Sequence, residues 1–97
     1  MTQLSGRYGL LLPHFGMNAS PDKIRRGAAL AEDLGFDHVW VRDHVIFRPH
    51  GMEGTDRTHV EPLTVLTTVA ASTKRITVGT ASLIPYHHPV YLANQLE

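Results

Sequence analysis

The chain contains no cysteine, which excludes a disulfide framework, a thiolate zinc site and a cysteine nucleophile together. It carries no net charge: nine Lys+Arg balance nine Asp+Glu. Nucleic acid and acidic membrane surfaces both select a basic face, so neither is a natural partner. No apolar run approaches the ~20 residues that a bilayer span needs. No basic-then-apolar segment opens the chain in the manner of a signal peptide. These absences describe a soluble, cytoplasmic chain. A Rossmann-type dinucleotide cradle also lacks support, because the first apolar run leads into Pro13-His14-Phe15-Gly16 rather than a G-x-G-x-x-G turn. There is no P-loop either.

What is present is a 97-residue chain with 42% hydrophobic residues, enough to bury the core of one small domain. Arg7–Leu12 is a continuous apolar run, the pattern of a strand covered on both faces. Ser20-Pro21-Asp22 predicts a helix start: a capping hydroxyl, a proline at the first helical position and an acid at the positive end of the dipole. Ile24, Ala28, Ala31 and Leu34 then share one stripe, and Gly35 is placed to terminate the helix. Asp37–Val41 predicts a second strand, in which Trp40 reads as core. A polar loop of about fifteen residues follows, longer than most connections in compact domains. Arg48, Glu53 and Arg57 read there as solvated charges, on a segment that could act as a lid.

Glu61-Pro62 opens a second helix with Leu63, Leu66 and Ala70 on one face, ending near Ser72–Lys74. Arg75–Ser82 predicts a third strand, in which Gly79 marks either a bulge or the close approach of a backbone or flat ring. Pro85–His88 form a turn, and Pro89–Glu97 begin a third helix. The order βαβαβα implies a parallel sheet with crossover helices.

Parallel α/β folds gather chemistry at the carboxyl ends of their strands. Those ends carry His14, then Asp43-His44, then Thr80-Ala81-Ser82. An isolated Asp-His pair reads as loop polarity; at the end of a buried strand it reads as functional. A histidine with an unperturbed pKa of ~6.5 serves as acid or base at neutral pH. Adjacent strand residues point to opposite faces, so Asp43 and His44 need not touch. His14, His44, His50, His59, His87 and His88 also raise a zinc or iron site, with Asp43 as a further ligand. No H-x-H on a strand or H-E-x-x-H on a helix supports that, and no metal ligand is expected.

Leu12–Gly16, Ala31–His44, Pro62-Leu63-Thr64 with Ala70–Thr80, and Pro85–Val90 with Leu92-Ala93 together resemble the opening of the bacterial luciferase-like monooxygenase superfamily. The LPHFG and VWVRDHV segments are most similar to its branch dependent on the deazaflavin coenzyme F420. The resemblance implies an α/β fold, the first three βα units of a (β/α)8 TIM barrel, with residues 1–97 as a single partial domain. A whole barrel takes about 250 residues, so the chain reads as an N-terminal fragment or as a piece that a partner completes. His44 matches the family's active-site histidine. Asp43 matches the acid beside it that lines the cofactor pocket. Thr80, Ala81 and Ser82 match the bulge against which the cofactor ring leans, with a cis peptide expected at Ala81–Ser82.

The function so implied is hydride transfer between F420 and a small organic substrate, in a homodimer. The alternative within the fold is a reduced-FMN monooxygenase. The alternative of another class is a non-catalytic barrel piece that self-associates, and a metal-dependent hydrolase stands third. In this family the phosphate-binding residues lie mostly downstream.

Overall fold

The computed structural model describes residues 6–48 and 55–97, so His50 and Glu53 lie outside the described residues. Three short strands, β1 (Gly9–Leu11), β2 (His38–Val41) and β3 (Thr77–Thr80), pair in parallel in the order β1-β2-β3. Leu10, Val39 and Val78 lie side by side across the sheet. Helices α1 (Pro21–Asp33) and α2 (Pro62–Ser72) are the two crossovers, and α3 (Pro89–Leu96) follows β3. These are three consecutive parallel βα units in an open sheet, the architecture of a partial TIM barrel. No described helix is long and apolar enough to cross a membrane.

Local chemistry sets the helix ends. The Ser20 hydroxyl accepts the Lys23 N–H at 3.1 Å, Pro21 occupies the first helical position, and Asp22 pairs with Arg26 at 2.9 Å. At the other end Gly35, at φ +90°, donates to the Glu32 carbonyl while Phe36 donates to Ala31. That double bond pattern closes the helix, and it needs the left-handed conformation that glycine adopts freely. Glu61 caps α2 through its carboxylate, which accepts the Thr64 N–H at 2.8 Å and the Thr64 hydroxyl at 2.9 Å.

The core lies between the helices and one sheet face. Leu12, Val39 and Val41 project from the strands onto Ile24, Ala28 and Ala31 of α1 and Leu63, Val65, Leu66 and Val69 of α2. Two expected stripe members fall outside it. Leu34 is the exposed cap of α1, and Ala70 is exposed beside α3. α2 packs against α1, β2 and β3, and its buried residues are Pro62, Leu63, Val65, Leu66 and Val69.

The opposite sheet face carries Gly9, Trp40 and Gly79 in one row, since Trp40 pairs with Gly79 and with Leu11, two residues beyond Gly9. Trp40 is 38% exposed, so it is not a core residue. Its indole lies along the sheet: a Cβ added at Gly9 would stand 2.5 Å from Nε1, and one added at Gly79 would stand 2.7 Å from Cζ3. Gly79 therefore admits a flat ring, and the ring belongs to this chain.

At the amino end of the strands, Glu32 ties α1 to the approach to β3. Its Oε2 accepts the N–H groups of Lys74, Arg75 and Ile76 at 3.0, 2.6 and 2.8 Å. The bonds from Arg75 and Ile76 hold the Glu32 carboxyl below its usual pKa.

Candidate active site at the carboxyl ends of the strands

The carboxyl edge is organised around His14, which is fully buried. Its Nδ1 donates to the Val60 carbonyl at 2.9 Å, and its Nε2 accepts the Arg42 N–H at 2.9 Å. Because the Arg42 amide can only donate and the Val60 oxygen can only accept, the ring is neutral with its proton on Nδ1. Burial pushes its pKa down, against a raising contribution from the Val60 bond, and neighbouring His59, Arg42 and His44 lower it further. With both nitrogens engaged, His14 has no free edge for proton transfer.

Backbone bonds reinforce the arrangement. Gly16 N–H donates to the Thr58 carbonyl at 2.8 Å and Val60 N–H to the His14 carbonyl at 3.0 Å. Phe15 and His59 thus face each other in a short antiparallel bridge. Their rings stack at 5.5 Å with an 8° interplanar angle. Phe47 stacks on Phe15 at 5.1 Å, and the Arg42 guanidinium carbon lies 3.9 Å from the Phe15 ring centroid, a cation–π distance.

His44 enters this cluster from the residues after β2. Its ring meets Phe15 edge-on at 6.0 Å, Phe47 at 5.6 Å and His59 edge-on at 5.8 Å. It is half-buried, with hydrophobic rings on several sides and a route to solvent. Asp43 turns elsewhere: its Oδ2 accepts the Ile84 N–H at 2.9 Å. That bond draws the chain after β3 against the end of β2, joining the Asp43-His44 and Thr80–Ser82 segments on one edge.

The three residues expected at the third strand do not share one surface. Thr80 pairs with Val41 and lines a groove of about 830 Å³ beside α2 and the end of α3. Ala81 extends the ladder by donating to the Val41 carbonyl at 2.8 Å, and strand alternation sets it on the Trp40 side. Ser82 is exposed. No cis peptide occurs among the described residues, so the bond expected to be cis at Ala81–Ser82 is trans, the lower-energy state of any non-prolyl peptide.

No group of three or more His, Asp or Glu side chains is placed to hold a metal among the described residues. His87 is exposed, and His88 caps α3 by accepting the Val90 N–H at Nδ1, 3.3 Å. His59, considered in the sequence only as a metal ligand, is instead part of the aromatic cluster, and its Nε2 is buried without a hydrogen-bond partner. Burial lowers its pKa, with nearby His44 adding to the effect and the Arg42 backbone opposing it. Phe15, Arg42 and Phe47 also belong to the edge. Their only sequence signal was position: Arg42 directly follows a predicted strand, Phe15 lies three residues beyond another, and Phe47 lies in the long loop.

The edge therefore offers stacked apolar rings, one half-buried imidazole beside them and a second imidazole with an unengaged nitrogen. That donor set fits a flat conjugated ring with one protonatable edge. The family model described as luciferase-like monooxygenase matches residues 6–96, almost the entire chain. No curated protein matches it.

Proposed function

The chain belongs to the luciferase-like monooxygenase family, and on that premise we propose that it is the barrel portion carrying the active-site histidine of a deazaflavin (F420)-dependent oxidoreductase. The observation that carries this reading is the convergence on one strand edge of His44, its ring neighbours Phe15, Phe47 and His59, and Asp43 bonded across to Ile84. When bound, the deazaflavin supplies hydride exchange with the organic substrate.

The protein's own contribution is placement and proton handling. His44 holds a proton at its imidazole edge and delivers it to, or takes it from, the substrate atom that changes hydrogen count. The neighbouring rings limit water around that imidazole, so the proton moves along a defined path. Asp43 braces the wall formed by Ala81 and Ser82 through its bond to Ile84. The same reading carries a small organic substrate, a cytoplasmic location and a homodimer.

The test is kinetic and thermodynamic together. His44→Ala is expected to lower turnover by about 10²-fold or more, the usual contribution of a positioned acid or base, while deazaflavin affinity stays within a few-fold. Asp43→Ala is expected to weaken deazaflavin binding, because the wall after β3 loses its tether. Unchanged turnover in His44→Ala removes that residue from the mechanism.

A further inference from the structure

We propose that His14 is a positioning residue for His44, acting through the Arg42 backbone. The proposal rests on the functional reading of His44. The two bonds of His14 reach residues 28 and 46 positions away in sequence. They join three segments at one point: the end of β1, the end of β2 and the strand-like stretch leading to α2. His44 lies inside the excursion that these bonds close, two residues after Arg42. The excursion runs from β2 to α2, and its described residues contain no named helix or strand. Its described parts are fixed to the rest of the molecule at both ends by the same imidazole.

The bond at Nε2 matters most for His44. Arg42 is the first residue after β2, and the strand bond from Leu12 N–H goes to the Trp40 carbonyl, 2.8 Å, on the preceding turn of the pleat. His14 thus extends the pairing of β1 with β2 beyond the strands, using a side chain where Pro13 ends the β1 ladder. The guanidinium of Arg42 and the ring of His44 both contact Phe15, the neighbour of His14. A shift of the Arg42 amide would carry the Asp43-His44 pair across that ring.

The neutral tautomer makes the arrangement specific. One acceptor and one donor, at the two ends of a rigid ring, match one N–H and one carbonyl. Glutamine places an amide oxygen near the reach of Nε2 and so preserves the Arg42 bond. Asparagine is shorter and reaches only the Nδ1 side, toward Val60. The two substitutions therefore separate a clamp on Arg42 from a role in filling the core.

The experiment is NMR on the whole chain. In the wild type, a through-bond nitrogen–nitrogen coupling is expected between the Arg42 amide and His14 Nε2, the direct signature of an N–H···N bond. In His14→Asn, Arg42 amide protection is expected to fall by about 10-fold, and the His44 ring-proton resonances, set by Phe15 and Phe47, should move. In His14→Gln both readouts should stay near wild type. Absence of the coupling, or His44 resonances unmoved in the folded His14→Asn chain, overturns the proposal. So does equal displacement in the Gln and Asn variants, which marks His14 as core filling. These readouts concern position alone, so they hold even if His44→Ala shows that His44 takes no part in turnover.

Discussion

Placing a methyl group at Gly79 probes the packing of the open sheet face directly. The added carbon would stand 2.7 Å from Trp40 Cζ3 and 2.9 Å from Cε3, against about 3.5–4.0 Å for comfortable carbon contact. The ring must therefore retreat by about 1 Å. Overpacking of this kind costs about 1–3 kcal/mol, while replacing glycine by alanine within a strand returns about 0.5–1 kcal/mol. The net expectation is a loss of about 0.5–2 kcal/mol. Trp40 is already 38% exposed on its outer side, so the indole can lift away from the sheet and the cost lies toward the low end. For a domain of this size the melting temperature should fall by roughly 3–10 °C.

Trp40 is the only tryptophan in the chain, so its emission reports this site without background. Gly79→Ala should shift that emission to the red and increase quenching by acrylamide. In a Trp40→Ala background the same substitution should be neutral or stabilising by about 0.5 kcal/mol, since the steric partner is gone. A Gly79→Ala chain that melts higher than wild type with unchanged emission refutes the reasoning.

Glu32→Gln should lower thermal stability, because an amide oxygen is a weaker acceptor than a carboxylate for the N–H groups of residues 74–76; a melting temperature equal to wild type would show those bonds to be incidental. The folded Glu32 carboxyl lies below its ordinary 4.5, so the unfolded chain protonates first. Its stabilisation is complete above that pH and disappears as pH falls through 4.5 toward the folded value. Denaturant titrations across that window should show the acid limb flattened in Glu32→Gln. His14 acts at higher pH: burial lowers its folded pKa from 6.5, so stability is full above 6.5 and declines below it until the folded ring also takes a proton. His14→Gln should flatten that limb alone. Gly35→Ala forces a side chain to φ +90° and should cost about 1–2 kcal/mol by denaturant titration.

Local features were legible because their causes are local. Ser20-Pro21-Asp22 and Gly35 bound α1 through contacts within a few residues, and Glu61-Pro62 does the same for α2. The parallel order followed from alternation of apolar runs with capped helices, and the strand ends located Asp43 and His44. Trp40 reads as core in the sequence because a four-residue strand does not announce which sheet face a helix will cover. Two glycines on neighbouring strands were the available sign that a ring would lie flat. The paired bonds of His14 and the grip of Glu32 on residues 74–76 join segments far apart in sequence, which no periodicity reveals. Strand alternation alone places Thr80 and Ala81 on opposite faces of the sheet.

The proposed function requires this strand edge to receive a deazaflavin. Native mass spectrometry of the chain, with deazaflavin and FMN offered together, addresses it in one spectrum. The expected result is a complex that retains the deazaflavin and loses it on Asp43→Ala. Retention of FMN in its place, or of neither ligand, contradicts it.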